Sequence, residues 1–356
     1  MLYLALESGE GYGWGVAGSY LIKELSKLTE VGLINQNTIK DFKTPSLPHD
    51  IFHGTRNETL LPQYPIQGKR NFGYTFFEVS LPPEAKKNSC FYDIIFAGSS
   101  WCKEKSIEHG IASTKTLIQG VDPELFFPIE EEKQNYKDNF VIFSGGKFEF
   151  RKGQDLVIKA FKILQNKYKD LFLVCAWYNF WDFSLKTMKM SSLITVDLSS
   201  HDFIENIKNT LSLNKIDLRR VKILPFTKSD KFREIFRDTD IGIFPNRCEG
   251  GTNLVLMEYM ACGKPCIASY NSGHKDIVNK QNALLLEKMI PLKIYQKETN
   301  YLLLNWFNLS LEELVEKIEY AYHNRDKLKE VGNKAGKDLR SFSWETTAKT
   351  LLSYIQ

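Results

Sequence analysis

No stretch of the chain runs to eighteen uninterrupted apolar residues, so a membrane-crossing helix is not expected. The N-terminal Met1 to Glu7 segment is apolar but lacks a basic leader and a small-residue cleavage site, and reads as a buried strand rather than a signal peptide. A cytoplasmic location is therefore the default expectation, with peripheral contact at the inner face of a membrane left open. Cysteine is sparse. Its six residues (Cys90, Cys102, Cys175, Cys248, Cys262 and Cys266) lack the dense spacing of a secreted disulfide framework, which points to reduced thiols. Cys262 and Cys266 have no second Cys/His pair at ligand spacing, so packing is a better reading for them than zinc.

Net charge is also small, at +4, but it is unevenly placed. Up to Asp138 there are 14 Lys+Arg against 18 Asp+Glu; the remainder carries 33 against 25. An anionic ligand suits the second part. A nucleic-acid footprint would need a basic stripe that the first part lacks, so no nucleic-acid partner is expected.

What is present is enough chain for two domains: 356 residues, 43% hydrophobic and 25% charged. Apolar runs at Tyr3–Leu6, Val31–Ile34, Asn71–Phe77, Asp93–Ala97 and Thr116–Gln119 alternate with helical patterns, which predicts a parallel sheet. Periodicity is lost through Val121–Pro128 and the polar run Glu130–Asp138. A second alternation follows, with strands expected at Phe140–Ser144, Leu171–Ala176, Val221–Leu224, Ile241–Phe244, Pro265–Ala268 and Ala283–Leu285. The expected organisation is a Rossmann-like domain over 1–130, a second over 139–340, and a terminal helix over 341–356 whose docking periodicity leaves open.

Four constellations carry candidate chemistry. Phe244 to Pro265 leaves an apolar strand, turns through Glu249-Gly250-Gly251-Thr252-Asn253 and opens a helix. Unpaired amides at a glycine-approached helix N-terminus predict anion binding at Gly250–Thr252. Glu258 projects from the otherwise apolar Leu254–Met260 and needs hydroxyl or N–H donors, from a ribose diol or from a protein hydroxyl. Ser144 to Asp155 places Lys147, Arg151 and Lys152 beside another helix start, cations suited to a departing diphosphate. The alternative for these three is solvated loop charge.

Gly9 to Ser19 contains Gly-x-Gly-x-x-Gly, but Val31 to Gln36 supplies no acidic residue for a dinucleotide ribose. After the strand at Asn71–Phe77, Glu78 stands at a strand end, with His53 as its competitor for a catalytic role and ordinary capping or ion pairing as the alternative for both. Asp238-Thr239-Asp240 spells a metal–nucleotide motif yet leads into a buried strand, so it reads as a turn. His274 could reach the same cleft, although a lone His is more often ordinary surface or core. The aromatic run Trp177–Trp181 could stack a base or sugar, or simply pack.

The Phe244–Ser269 stretch resembles the retaining GT-B glycosyltransferases of family four (glycosyl transferases group 1): a Glu-Gly-rich turn, a helix, a second Glu, then Ala261-Cys262-Gly263-Lys264-Pro265 and a strand. The resemblance implies an α/β GT-B fold, two Rossmann-like domains facing a cleft, with C-terminal helices. It further implies a nucleotide diphosphate sugar as donor, a glycan, lipid-linked or other hydroxyl acceptor, retention of configuration, and no metal or other cofactor. By resemblance Glu258 takes the ribose, Glu249 the donor sugar, and the glycine-rich Gly13 and Gly15 approach the donor phosphates or acceptor. Lys147 stands where the family commonly has Arg. Glu249 and Glu258 have eight residues between them where the pattern has seven, so either the turn carries one extra residue or Gly250 and backbone groups take the place of the first Glu. The donor-binding set is thus Gly13, Gly15, Lys147, Lys152, Glu249, Gly250, Gly251, Thr252, Asn253 and Glu258, with Glu78, Lys152 and Glu249 as catalytic candidates. A non-catalytic sugar-nucleotide-binding subunit, or an epimerase or phosphorylase of the same fold, are the alternative readings.

Overall fold

The computed structural model describes residues 1–41, 46–295 and 302–355. Strands β1 (Leu2–Ala5), β2 (Val31–Leu33), β3 (Asp50–Gly54), β4 (Asn71–Thr75), β5 (Ile94–Ala97) and β6 (Thr114–Thr116) form one parallel sheet in the order β2-β1-β3-β4-β5-β6. Strands β7 (Phe140–Lys147), β8 (Leu171–Tyr178), β9 (Val221–Ile223), β10 (Ile241–Phe244), β11 (Cys266–Ser269) and β12 (Leu284–Leu286) form a second, ordered β12-β11-β10-β7-β8-β9. Central strands such as β4, β10 and β11 are buried along their whole length, as parallel strands covered on both faces must be. Both sheets have a point where strand order reverses, between β1 and β3 and between β7 and β10. Loops at the carboxyl ends diverge there and leave a crevice.

The order of the first sheet depends on β3, which the apolar-run reading passed over because its Asp50 and His53 interrupt the hydrophobic pattern. The strand expected at Thr116–Gln119 lies at Thr114–Thr116 instead; Leu117 N still donates to Ala97 O at 2.8 Å, and pairing ends there. An antiparallel hairpin, β13 (Met289–Tyr295) and β14 (Leu302–Leu309), follows β12 and was likewise not expected. Among the described residues no helix is long and apolar enough to cross a membrane.

The chain passes from one sheet to the other near Gly120–Pro128 and returns beside itself: Val121 N donates to Phe342 O at 2.7 Å. A Cβ on Gly120 would lie 2.1 Å from Trp344 N, so only glycine permits the two crossing segments to touch. The terminal helix Trp344–Ile355 then packs on the first domain. Trp344, Ala348, Leu351, Leu352 and Ile355 share one core with Leu21 and Leu25 of the helix Gly13–Leu28 and with Leu2 and Leu4. Tyr20 and Trp344 stack with centroids 5.3 Å apart. The first domain's core is therefore completed by the last residues of the chain. Leu351, with no exposed surface, makes the test: Leu351→Ala should cost about 3 kcal/mol in urea unfolding, and a loss below about 1 kcal/mol would mean that this helix does not close the core.

Candidate functional site

At the reversal point of the second sheet two turns lie side by side. β7 ends at Lys147 and the chain turns through Phe148–Gly153 into the helix Gln154–Leu164. β10 ends at Phe244 and turns through Pro245–Asn253 into the helix Leu254–Ala261. Gly153 has φ +77°, and a Cβ there would lie 2.1 Å from Pro245 O, so the turns meet only because this residue is glycine. Arg247 N donates to Arg151 O at 2.7 Å and continues the contact.

Six charges gather where these turns face the first domain. Lys152 Nζ is 2.6 Å from Glu249 Oε1 and Arg151 Nη1 is 3.1 Å from Glu249 Oε2. Arg151 Nη2 also lies 2.6 Å from Glu149 Oε1, its Nη1 lies 3.4 Å from Glu78 Oε1, and Nη1 donates to Cys248 O at 3.0 Å. Lys147 Nζ is 3.6 Å from Glu149 Oε2 and 5.0 Å from the centre of the Trp181 ring. Burial opposes ionisation of Glu249, but Lys152 and Arg151 outweigh it and hold the carboxylate well below the usual range. The Asn246 side-chain amide donates to the same carboxylate.

The amides of Gly250, Gly251, Thr252 and Asn253 donate no hydrogen bond among the described residues. A buried backbone N–H without an acceptor is costly, and successive free amides ahead of a helix N-terminus are the kind of arrangement that suits an anion. Asn253 closes the run at φ +67°, a conformation that asparagine tolerates better than most residues. Its Nδ2 lies 3.3 Å from His274 Nε2, while His274 Nδ1 lies 3.2 Å from Ser269 O. Nδ1 also lies 3.1 Å from Ser269 Oγ, and burial pushes the His274 pKa down to about 4. His274 is therefore a neutral residue behind Asn253 rather than one that reaches into the cleft.

The first domain presses directly on this turn. A Cβ on Gly250 would lie 2.5 Å from Phe77 O, and one on Gly251 2.7 Å from Gln119 Oε1. Ser99 Oγ donates to Gly250 O at 2.7 Å, and Asp276 accepts from Ser100 N at 2.7 Å and Ser100 Oγ at 2.5 Å, at the start of the helix Ser100–Glu108. From the second domain, Trp306 Nε1 of β14 donates to Glu78 O at 2.5 Å. Gly13 opens the helix Gly13–Leu28 with free space beside it, and Gly15 is close enough to the Tyr12 ring that a Cβ would lie 2.6 Å away. The same loop meets the second domain's aromatic rim: Tyr12 is edge-on to Trp181, with centroids 6.0 Å apart, and a Cβ on Gly11 would lie 2.6 Å from the Phe180 ring.

The structure thus gathers Glu78, Lys147, Lys152, Glu249, Gly250, Gly251, Thr252 and Asn253 at one place. It does not bring His53 there. That ring is fully buried, with Nε2 3.1 Å from Asn71 Oδ1 and its faces against Phe91 and Tyr92, and burial pushes its pKa down to about 4. Trp177 is equally unavailable for stacking on a ligand. It is buried with Nε1 donating to Ser144 Oγ at 3.0 Å; the rings of its run with exposed surface are Phe180 and, in part, Tyr178 and Trp181. Asp238 and Asp240 lie at the opposite end of β10, where Asp240 accepts from Val141 N at 2.6 Å and pairs with Lys133. Sequence reasoning missed Glu149, Ser99, Asp276 and Trp306. Ser99, Asp276 and Trp306 were separated from their partners by a domain or lay in the unexpected hairpin; Glu149, inside the cationic turn, carried a signal as a counter-charge.

Glu258 is a different case. It is 8% exposed, and among the described residues its carboxyl group accepts no hydrogen bond and makes no ion pair, so of the two expected partners the protein hydroxyl is not found. Burial alone pushes its pKa up to about 8. A carboxyl raised in the folded state contributes its full stability below the ordinary value of 4.5, and that contribution is lost progressively until the pH passes about 8. Glu258→Gln, which stays neutral, should therefore gain in Tm over the parent as pH rises from 5 to about 8, and the gap should level off above that. A gap independent of pH would show that the carboxyl is not held neutral.

Comparisons with known proteins fit this geometry. Residues 127–291 match the family model of Glycosyl transferases group 1. An uncharacterised glycosyltransferase of Methanocaldococcus jannaschii is 26% identical over 304 residues, which span 84% of this chain and 66% of that protein. Among solved structures, sucrose-phosphate synthase from Thermosynechococcus elongatus superposes with a TM-score of 0.66 at 13% identity, covering 99% of this chain and 98% of the other. HepE of Anabaena, solved in complex with UDP and glucose, superposes with a TM-score of 0.65 at 14% identity, covering 100% and 99%. At such identities the likeness establishes the fold. The match to Glycosyl transferases group 1 is thus confined to residues 127–291, and the chain as a whole has the GT-B fold.

Proposed function

We propose that this chain transfers a sugar from a nucleoside diphosphate sugar to a hydroxyl acceptor, glycan or lipid-linked, with retention of configuration. The observation that carries the reading is the run of four undonated amides at Gly250–Asn253, on the turn whose Glu249 pairs with Lys152. A leaving diphosphate is the largest electrostatic demand of glycosyl transfer, and these amides with Lys147 and Lys152 answer it without a metal ion. Among the described residues no cluster of His, Cys, Asp or Glu has the arrangement of a metal site. Glu258, whose pKa burial raises to about 8, would accept hydrogen bonds from a ribose diol, which would draw its pKa back down. Glu78 comes from the first domain and faces the acceptor side. Retention rests on the family resemblance.

UDP-glucose is a rational first donor, since HepE was also crystallised with it. A thermal-shift panel of UDP-, GDP-, ADP- and dTDP-sugars should single out one nucleotide, because a ligand that binds only the native state raises its stability. Labelled sugar should then move to a second molecule, and nucleotide should be released faster with acceptor present. Binding without transfer to any acceptor would leave a sugar-nucleotide-binding subunit. Lys152→Met should weaken nucleoside diphosphate binding by about tenfold or more. Glu78→Gln should lower turnover by at least about tenfold, with donor affinity little changed; turnover within a few-fold of the parent removes Glu78 from the chemistry. Chelation with EDTA should leave turnover intact, whereas loss restored by manganese would overturn the metal-free reading.

A further inference from the structure

We infer that the buried ion pair Arg247–Asp155 is the positioning element of the donor site, setting the cationic turn against the amide turn. The inference rests on the functional reading above. Arg247 Nη1 and Nη2 donate to Asp155 Oδ1 and Oδ2, each at 2.8 Å, and the two side chains are 3% and 0% exposed. Asp155 lies in the first turn of its helix, three residues after Lys152; Arg247 lies two residues before Glu249. The pair therefore joins the two strand-to-helix turns at their bases, while Lys152 and Glu249 join them at the ligand edge.

The guanidinium leaves little slack. Nη1 also donates to Phe150 O at 2.5 Å, the Phe150 ring centre lies 3.7 Å from Arg247 Cζ, and Asp155 Oδ2 accepts from Ser191 Oγ at 2.7 Å. The β14 strand joins the same residue: Nε donates to Asn308 Oδ1 at 3.3 Å, and Phe307 N donates to Arg247 O at 3.1 Å. One residue earlier, Trp306 holds the Glu78 carbonyl. A chain of direct contacts thus runs from Asp155 through Arg247 and β14 to the main-chain carbonyl of Glu78 in the first domain.

Stability alone does not account for a charged pair at this place. Burying both ions costs desolvation, and well-packed apolar residues of similar volume usually stabilise a core as well or better. What a bidentate fork adds is a fixed angle and distance between the groups that carry it. Diphosphate binding divided between two turns depends on that distance, because a displacement of about 1 Å at reacting or binding groups is enough to cost large factors in rate.

The test compares the full chain with Arg247→Lys and with the charge-free pair Arg247→Met/Asp155→Leu. Binding of UDP, GDP, ADP and dTDP is measured by calorimetry, and amide hydrogen exchange at residues 147–153 and 250–253 is followed in the ligand-free protein. If the pair positions the site, Arg247→Met/Asp155→Leu recovers the folding stability lost in the single Arg247→Met variant. It still binds the preferred nucleotide at least about tenfold more weakly than the parent, with faster exchange in both turns. Arg247→Lys, which keeps the charge but not the fork, should show the same loss and remains informative if the double variant fails to fold. Recovery of both affinity and protection in the double variant, or parental affinity in Arg247→Lys, overturns the proposal. If the parent binds no nucleotide of the panel, the donor reading fails separately, and exchange in the two turns decides whether the pair positions them.

Discussion

A guanidinium with almost no exposed surface must be neutralised by its neighbours, and Arg151 is surrounded by carboxylates from three places in the chain. Glu149 lies on its own turn, Glu249 on the adjacent turn and Glu78 on the other domain. With Lys147 and Lys152 this makes three cations and three carboxylates, a cluster with no net charge. Such a cluster holds the two turns and the first domain together, since Arg151 and the carboxylates around it neutralise one another in low dielectric. It also shapes what a ligand meets. A diphosphate adds negative charge to a balanced set, so its compensation has to come from undonated amides and from cations drawn away from carboxylates. Lys147 is the cation a ligand can reach first, being the most exposed of the three and the most distant from its carboxylate partner.

The glycines of the amide turn answer a second demand of the same place. Gly250 and Gly251 are compatible with anion binding, but the first constraint on them is the approach of Phe77 and Gln119 from the other domain. Gly273 is tighter still, since a Cβ there would lie 1.7 Å from Gly251 O. The turn is thin because a backbone segment of the other domain and the chain after β11 both press on it. Close interdomain packing at this turn is thus one consequence of the absence of side chains there.

Local pattern made much of this legible. Two series of apolar runs alternating with helical periodicity read as two parallel sheets, since strands covered on both faces must be continuously apolar. Turns at strand ends were recognisable as candidate sites because parallel sheets put their crevices there. Three kinds of information were not legible. β3 and the β13–β14 hairpin carry polar or half-exposed sequences whose pairing depends on neighbours distant in the chain. His53 and Glu78 were indistinguishable as residues near strand ends. Direction separates them: His53 turns into the core against Asn71, while Glu78 emerges where Arg151 can reach it. The eight-residue interval between Glu249 and Glu258 could not be interpreted without the turn's path. In the structure Glu249 occupies the ion-pair position at Lys152 and the next four residues present the amides, so side chain and backbone share the turn.

Glu258 and Glu249 then differ in the way that matters for a ligand. Both are buried carboxylates within one short segment, yet one is satisfied several times over and the other not at all. A satisfied buried carboxylate explains itself by the structure it maintains. An unsatisfied one costs stability at neutral pH and contributes nothing to the fold that a leucine or glutamine would not. Its burial pushes its pKa up to about 8, which favours the neutral acid over an unpaired carboxylate. A ligand that brings two hydroxyl donors would remove the reason for that protonation, and binding would release a proton near neutral pH. The chemistry that would suit Glu258 is therefore a pair of neighbouring hydroxyls rather than an anion.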